Sequence, residues 1–353
     1  MAGPTETSVT MTLNSTIPST EGTVEKVFTI VFPTVIFLIA VVGIFGNALV
    51  IFVVAKHRDM HNVTNYFIAN LSVTDIALLV ICAIPTGANI CGWQINIFSC
   101  KIVTYMQFVT VQATCFTLAA MSVDRYYMIV HAVASRQKRT SFKVFFVCVV
   151  IWIVSLLLHL PLAILSELTE NEGCHPPFSD NEVKKKRIYY LFMTFILYII
   201  PLAVIIACYA NILVLVWRKT TAGTESAQAR KRSIKQKQKI TKMVLIVVLV
   251  FVFSWGPTQC LLIWEKVSTS YPRQNLTVEI IRMSALCLAY SNSCVNPFIY
   301  AFTTASFKKC FQGALSPCCN TSRLTNGESR KYHTKVPSDD TNNITTMSCV
   351  TKL

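Results

Sequence analysis

Seven long apolar stretches without any Asp, Glu, Lys or Arg divide the chain. Each holds 22 to 30 residues, whereas a helix needs about 20 apolar residues to cross the hydrocarbon core of a bilayer. The helix of the second stretch is expected to begin earlier, near Asn62. We name these stretches span one to span seven in chain order: Val27–Ala55, Ile76–Cys100, Ile102–Val123, Val144–Ser166, Ile188–Trp217, Met243–Trp264 and Met283–Ser306. The pattern predicts an all-α membrane protein, a seven-transmembrane helix bundle.

The segments outside this bundle, which is expected at residues 27–303, have three different patterns. Residues 1–26 lack a basic start followed by an apolar run, so they predict an outer N-terminal tail and no cleavable signal peptide. Residues 304–315 combine Phe307 and Phe311 with Lys308 and Lys309, the pattern of a short amphipathic helix on the inner leaflet. Residues 316–353 contain few apolar side chains and predict a disordered tail.

Charge is scarce in this chain, and its basic excess lies on one side of the spans. Only 14% of the residues are charged, against about 25% in soluble domains, so the composition argues against a purely soluble protein. With the N-terminus outside, the inner segments hold 23 Lys+Arg and 6 Asp+Glu, and the outer segments hold 9 and 10. The net charge of +15 therefore follows the positive-inside rule. It predicts a multi-pass plasma-membrane protein with a cytoplasmic C-terminus and no nucleic-acid partner.

The outer segments contain candidates for two covalent modifications. Asn14 begins an Asn-Ser-Thr triplet, and Asn275 begins a second triplet between spans six and seven. Such triplets accept glycans on the outer side. Cys91, Cys100 and Cys174 lie near the outer face, where a disulfide is permitted, but the spacing leaves their pairing open. The chain shows no zinc-site spacing.

One acidic residue, Asp75, lies inside a span. A charge in hydrocarbon costs at least a few kcal/mol, so we expect Asp75 to face the interior of the bundle. Its polar partners on other spans are expected to be Asn47, Thr114, Asn292, Ser293 and Asn296. The set predicts either a hydrogen-bonded packing network or a sodium or proton site.

The inner end of span three and several proline-containing helices indicate moving parts. Asp124-Arg125-Tyr126 ends span three; it is either an interfacial anchor or a switch that keeps the inner face closed. Proline removes a helical hydrogen bond and kinks a helix. We therefore predict kinks at Pro161, Pro201, Pro257 and Pro297.

The ordered set of these motifs resembles the class A (rhodopsin-like) G-protein-coupled receptors across residues 27–311. The matching residues are Gly46-Asn47, Asn70-Leu71 with Asp75, Cys100, Asp124-Arg125-Tyr126, Trp152, Pro201 with Tyr209, Trp255-Gly256-Pro257 and Asn296-Pro297-Phe298-Ile299-Tyr300. They occur in the order of the family, one set per span.

The resemblance implies a role for each matched group. Cys100 and Cys174 would form a disulfide. Asp75, Thr114, Asn292, Ser293 and Asn296 would line a pocket for an allosteric sodium ion, with no other cofactor. Phe251, Trp255 and Pro257 would relay ligand binding to span six. Asp124, Arg125, Tyr126, Tyr209, Tyr300, Asn296 and Pro297 would rearrange to open a cavity for a heterotrimeric G protein.

The resemblance also narrows the ligand. Gln107 stands where amine receptors carry an aspartate, and Tyr290 stands where opsins carry the retinal lysine. A monoamine receptor and a light sensor are therefore not expected, and a peptide ligand is. The predicted ligand-binding residues are Gln107, Gln112, Trp255, Gln259 and Tyr290. In an alternative interpretation, Gln107 and Gln259 only bind each other.

Short stretches of sequence indicate the subgroup. Val63-Thr64-Asn65-Tyr66 and Val111-Gln112-Ala113-Thr114-Cys115 resemble the galanin, allatostatin-A and kisspeptin receptor group. Trp255-Gly256-Pro257-Thr258-Gln259 is most similar to kisspeptin receptors. That similarity implies an amidated neuropeptide and coupling to Gq, with phospholipase C activation and calcium release. A galanin- or allatostatin-A-like receptor coupled to Gi is the alternative.

The C-terminal tail suggests further partners. Cys318 and Cys319 predict palmitoylation and contact with membrane lipid, or else two unmodified thiols. The Ser and Thr residues beyond Ser316 are expected substrates of receptor kinases, and the phosphates would be recognised by an arrestin. The last residues, Thr351-Lys352-Leu353, match a PDZ ligand.

Two other classes of membrane protein are less compatible with the sequence. A secondary transporter would show an inverted repeat, and none is recognisable. A membrane enzyme would need paired catalytic groups, but Asp75 is the one acid inside a span, and His159 in span four is expected at the interface. No enzyme activity is predicted.

Overall fold

The computed structural model describes residues 27–93, 96–131, 135, 139–165, 167–169, 173–175, 183–218, 227–268, 271–272 and 275–315. Each of the seven predicted spans is helical. Span one is the helix Phe32–Lys56, span two comprises Val63–Leu78 and Ile84–Ile90, span three is Ile97–Val130, span four is Ser141–Leu165, span five comprises Val183–Thr194 and Ile200–Arg218, span six is Ala227–Val267, and span seven is Leu276–Thr303. A further short helix, Ala305–Leu315, follows.

Spans one to six are long and apolar enough to cross a membrane by length and composition. Span seven, at Leu276–Thr303, is not in that group although it is equally long. Its helix contains Ser291, Asn292, Ser293 and Asn296 in its middle turns, and these polar residues lower its hydropathy. Because Asn292, Ser293 and Asn296 are buried in the bundle, the polarity of span seven reflects an internal site.

The spans pack into one bundle, in which span four contacts spans two and three. Span one contacts spans two and seven, span six contacts spans five and seven, and span three contacts spans two, four, five and six. Span three is therefore the central helix of the bundle. This explains why so many of its side chains are buried, including polar ones such as Gln112, Thr117 and Ser122.

Asparagine side chains cap three of the helices. Asn62 accepts a hydrogen bond from the backbone N–H of Asn65, Asn96 from Ser99, and Asn275 from Thr277 and Val278. An asparagine cap satisfies backbone donors that a helix start leaves unpaired. The Asn275 triplet, predicted as a glycan acceptor, thus has a structural role at the start of span seven.

Three prolines begin α-helical segments directly after π-helical turns. The turns are Val27–Val31, Leu79–Ala83 and Phe195–Ile199, and Pro33, Pro85 and Pro201 follow them. Proline cannot donate the regular helical hydrogen bond, and its ring clashes with the carbonyl one turn earlier; the wider π turn accommodates both effects. Pro161, Pro257 and Pro297 lie inside helices assigned as continuous.

The helix of span six begins much earlier than its apolar stretch indicates. The charge-free segment begins at Met243, whereas the helix begins at Ala227. The intervening residues are mostly Lys, Arg and Gln, which are good helix formers in water. Hydropathy alone therefore finds only the part of this helix that lies in the bilayer.

Two short strands interrupt the all-α pattern between spans four and five. Strand β1, Glu167–Thr169, pairs antiparallel with strand β2, Gly173–His175, in the register Leu168 opposite Cys174. Both strands contact span three. Three-residue strands give no periodic signal that a sequence pattern can reveal, so this hairpin was not predicted.

The short final helix packs its aromatic face onto span seven. Phe307 is fully buried, and its ring centroid lies 5.8 Å from that of Tyr300 and 5.7 Å from that of Phe311. The hydroxyl of Thr304 lies 3.3 Å from the sulfur of Met243 in span six. These contacts hold the helix at the inner end of the bundle.

Large apolar side chains cover the outside of the helices. Span four alone exposes Phe142, Phe145, Phe146 and Leu157. Soluble monomers rarely expose contiguous apolar surface on this scale. The surface is the expected complement of lipid tails, so the fold is an all-α membrane bundle.

Candidate functional site

Asp75 lies at the centre of the bundle and is only 2% exposed. One carboxylate oxygen accepts a hydrogen bond from the Ser293 hydroxyl at 2.8 Å, and the other accepts one from the Asn296 amide at 2.9 Å. Both partners come from span seven, one turn apart. The carboxylate therefore joins spans two and seven at the level of the Pro297 helix turn.

Neighbouring polar residues extend this centre to spans one and three. The amide of Asn47 donates to the backbone carbonyl of Ser293 at 2.7 Å and to that of Gly43 at 2.9 Å. Thr114 in span three donates to the hydroxyl of Thr74 at 3.1 Å. Thr114 thus reaches the residue beside Asp75 rather than the carboxylate itself.

Three amide oxygens here, those of Asn47, Asn292 and Asn296, are buried without a hydrogen-bond partner in the described part of the chain. Buried polar atoms are normally satisfied, so unpaired ones call for a water or an ion. A carboxylate surrounded by neutral oxygens is the donor chemistry of a small hard cation. The residues present therefore fit a sodium ion, with Asp75 supplying the charge.

The guanidinium of Arg125 is almost fully buried at the inner end of span three. It donates to the hydroxyl of Thr64 in span two, and its other terminal nitrogen lies 3.4 Å from the sulfur of Met128. Asp124 is a salt-bridge partner at 3.3 Å. Arg125 therefore holds spans two and three together at the inner face.

Tyr209 and Tyr300 make their described contacts with groups other than the Arg125 side chain. The hydroxyl of Tyr209 donates to the Thr241 carbonyl in span six at 3.5 Å. The Tyr300 hydroxyl is buried without a hydrogen-bond partner among the described atoms. Its ring instead stacks on Phe307. Neither phenol has a hydrogen bond to the guanidinium, which is compatible with a closed inner face.

Aromatic rings connect the outer half of span six to span five. The ring centroids of Phe251 and Trp255 are 6.2 Å apart, and those of Tyr198 and Phe251 are 6.3 Å apart. The Tyr198 hydroxyl donates to the carbonyl of Val252 at 3.1 Å. Pro257 lies half a turn beyond Trp255, so the rings sit beside a point where span six can bend.

The predicted ligand-binding residues line the outer interior but make few mutual contacts. Gln112, Trp255, Gln259 and Tyr290 are buried, and Gln107 is half-buried. The Tyr290 hydroxyl lies 3.4 Å from that of Thr86. The described residues show no hydrogen bond between the side chains of Gln107 and Gln259, so the interpretation in which they only bind each other finds no support.

Cys100 is disulfide-bonded, and Cys91 is free and exposed. The backbone of Cys174 lies in β2, which contacts span three. The side chain of Cys174 lies outside the described part of the chain, so its pairing with Cys100 stays a prediction. The other predicted sites outside the described residues are Asn14, Cys318, Cys319, Thr351 and Leu353.

Comparison with known proteins identifies the family. The model of the "7 transmembrane receptor (rhodopsin family)" matches residues 46–300. The chain is 36% identical to "G-protein coupled receptor 54" of Oreochromis niloticus, over 78% of this chain and 75% of that one. It is 33% identical to the "KiSS-1 receptor" of Mus musculus, over 84% and 76%. It is 36% identical to "Galanin receptor type 1" of Rattus norvegicus, over 78% of this chain and 79% of that one.

The chain belongs to the rhodopsin family of seven-transmembrane receptors. Its relatives are receptors rather than enzymes, and they include kisspeptin, galanin and allatostatin-A receptors. This receptor is therefore a multi-pass neuropeptide receptor that acts with a peptide ligand and a G protein. Membership in this receptor family argues against the alternative of a secondary transporter.

The receptor contains functional contacts that the sequence did not indicate. Arg139, outside the spans, binds Asp124 through two hydrogen bonds of 2.7 and 2.9 Å, and Thr64 binds Arg125. His159 was expected at the interface, but it is fully buried and its ring centroid lies 5.6 Å from that of Phe108. Span four is apolar on all sides, so its sequence held no signal for that contact.

Proposed function

We propose that the chain is a cell-surface receptor for an amidated, kisspeptin-like neuropeptide and activates Gq, leading to phospholipase C activity and calcium release. The observation that carries the proposal is the neutral character of the outer interior. Gln107 and Gln259 offer neutral amides in this region, and Trp255 and Tyr290 offer aromatic rings. Amides donate and accept hydrogen bonds, which suits a terminal carboxamide, and aromatic rings suit aromatic side chains of a ligand.

A galanin- or allatostatin-A-like peptide with coupling to Gi is the second candidate. The sequence around Val63–Tyr66 resembles the whole galanin, allatostatin-A and kisspeptin receptor group. The overall identities to kisspeptin and galanin receptors are similar, at 33% and 36%. Overall identity therefore does not separate the two ligands. The Trp255–Gln259 segment, which resembles kisspeptin receptors, favours the first candidate.

Calcium release in cells expressing the full chain tests this proposal. The cells would be challenged with amidated kisspeptin-like, galanin-like and allatostatin-A-like peptides, and each peptide would also be tested as the free acid. A response to the kisspeptin-like amide that is lost with its free acid would support the first candidate. A fall in cyclic AMP in response to the galanin-like peptide, without calcium release, would support the second candidate.

The orientation and the remaining partners belong to the same proposal. A basic excess in the inner segments supports an outer N-terminus and an inner C-terminus. The tail would bind an arrestin after phosphorylation by receptor kinases, a PDZ protein through Thr351 and Leu353, and membrane lipid through palmitoylated Cys318 and Cys319. Asn14 would carry a glycan, and a Cys100–Cys174 disulfide would tie span three to the outer hairpin.

An allosteric sodium ion is proposed at Asp75. Ser293 and Asn296 would hold the carboxylate in place, and the unpaired oxygens of Asn292 and Asn47 would face the ion. Thr114 would contribute indirectly, because it binds Thr74 beside Asp75. A cation at this point would stabilise one packing of spans two and seven relative to others.

A further inference from the structure

Asp124 has two arginine partners of unequal strength. Nε of Arg139 donates to one carboxylate oxygen at 2.7 Å, and its Nη2 donates to the other at 2.9 Å. Nη2 of Arg125 reaches only the second oxygen, at 3.3 Å. A two-point arginine–carboxylate pair is stronger and more directional than a single contact. The Asp124 carboxylate is therefore bound more strongly by Arg139 than by Arg125.

The position of Arg139 is fixed by the backbone ahead of span four. The N–H of Arg139 donates to the carbonyl of Ser135 at 3.1 Å, and the N–H of Ser135 donates to the carbonyl of His131 at 2.9 Å. His131 directly follows span three. These two hydrogen bonds bring Arg139 back to the inner end of the helix that carries Asp124, although fifteen residues separate the two in sequence.

Arg125 has few alternative acids. Span six contains no Asp or Glu from Ala227 to Trp264, so its inner end offers no carboxylate to Arg125. In the part of the chain that the structure describes, Asp124 is the one ion-pair partner of Arg125. Its polar partner in span two is the neutral hydroxyl of Thr64. The strength with which Arg125 is held thus depends on how many carboxylate oxygens of Asp124 it can bind.

We propose that Arg139 is a positioning residue of the activation switch. Arg139 draws the Asp124 carboxylate away from Arg125 and so makes it easier for Arg125 to leave its position in the closed inner face. Arg139 occupies both carboxylate oxygens, which leaves Arg125 a single, longer contact with Asp124. Without Arg139, both oxygens become available to Arg125, and the closed inner face becomes more stable. The inference rests on the proposed coupling to a G protein.

The test compares Arg139→Gln, Arg139→Lys and Lys143→Gln in the full-length receptor. Lys143 is an exposed basic residue four positions later, so K143Q removes the same charge without touching Asp124. Ligand-independent nucleotide exchange on purified G protein is measured at equal surface expression. R139Q should lower it by up to about fivefold, the range of a partly exposed ion pair. R139K, which keeps the charge but loses the two-point geometry, should lie between R139Q and the wild type, and K143Q should match the wild type.

A second pair of variants isolates the path of the effect. In an Asp124→Asn background, R139Q should cause no further change in exchange, because the carboxylate for which the two arginines compete is absent. A purely structural role of Arg139 as an anchor of the loop would instead give an additional loss in that background. That additional loss, or an increase of ligand-independent exchange in R139Q, would overturn the proposal.

A structure of the ligand-free R139Q receptor provides a readout that does not need a G protein. It should show Arg125 bound to both oxygens of Asp124 and shifted from Thr64. An unchanged Arg125 would overturn the inference even if the receptor signals. If the wild type promotes no exchange on any G protein, the proposed coupling fails, and this structural comparison alone then decides the role of Arg139.

Discussion

At the residue scale, the Asp75 centre shows which polar contacts a sequence can reveal. Ser293 and Asn296 bind the carboxylate as expected, because their three-residue spacing places both on one face of a helix. Thr114 lies one contact further away, on Thr74. That detail depends on the rotation of span three about its own axis, which hydropathy does not fix.

Replacing Asp75 by Asn tests the proposed cation. The amide keeps the volume and can still bind Ser293 and Asn296, but it removes the negative charge that would hold sodium. We expect agonist affinity to fall in 100 mM NaCl relative to choline chloride, on the order of several-fold, in the wild type only. Equilibrium binding in both salts measures this. A persistent sodium effect in the variant would place the ion elsewhere.

Arg125 and His159 have contacts that the sequence could not reveal. The Asp124-Arg125-Tyr126 motif marks Arg125, but the sequence does not reveal that Thr64 of span two binds Arg125 or that Arg139, ahead of span four, binds Asp124. His159 was wrongly expected at the interface because a lone histidine in an apolar helix gives no indication of its direction. Its burial against Phe108 follows from the contact between spans three and four.

At the scale of elements, glycines allow span one to approach its neighbours closely. A Cβ atom at Gly46 would lie 3.0 and 3.2 Å from the Cγ and Cβ atoms of Pro297. The pyrrolidine ring of Pro297 is rigid and lies inside a helix, so it cannot move away as the end of a flexible side chain could. Span one therefore packs against the proline turn of span seven only because residue 46 has no side chain.

Enlarging Gly46 should loosen this contact. We expect Gly46→Val to lower receptor stability by about 1–3 kcal/mol, the usual cost of overpacking, and to lower the melting temperature in detergent. Gly313→Ala is the matched control, because a Cβ there has no atom within 4 Å. Equal melting temperatures for Gly46→Val and the wild type would contradict the close packing of spans one and seven.

Hydropathy located the seven spans but not all of their limits. Charge-free stretches end where the bilayer ends, whereas helices continue as long as their residues favour helix. Span six therefore begins at Ala227 rather than at Met243. The outer hairpin escaped prediction for a different reason, since its strands are too short to show alternation.

At the scale of the whole molecule, the asymmetric distribution of basic residues supports the proposed orientation, with the N-terminus outside. The inner segments carry most of the Lys and Arg side chains, which resist translocation across the membrane. Cys91 offers a direct test, because it is free, exposed and placed beyond the outer end of span two.

A membrane-impermeant maleimide applied to intact cells should label the wild-type receptor at Cys91. The label should disappear in Cys91→Ser, which serves as the matched control. Cys260 is also exposed, but it lies in span six among lipid-facing residues, where a membrane-impermeant reagent does not reach it. Labelling of Cys91 only after the cells are permeabilised would reverse the orientation.

The unequal division of span six by Pro257 gives the helix the geometry of a lever. About 30 residues lie on the inner side of this proline and about ten on the outer side, which corresponds to arms of about 45 Å and 15 Å at 1.5 Å per residue. A tilt of about 10° at the proline would displace the inner end by roughly 8 Å and the outer end by less than about 3 Å. A displacement of less than about 3 Å at the outer end, beside the ligand, is therefore accompanied by one about three times larger at the inner end, where the partner protein would bind.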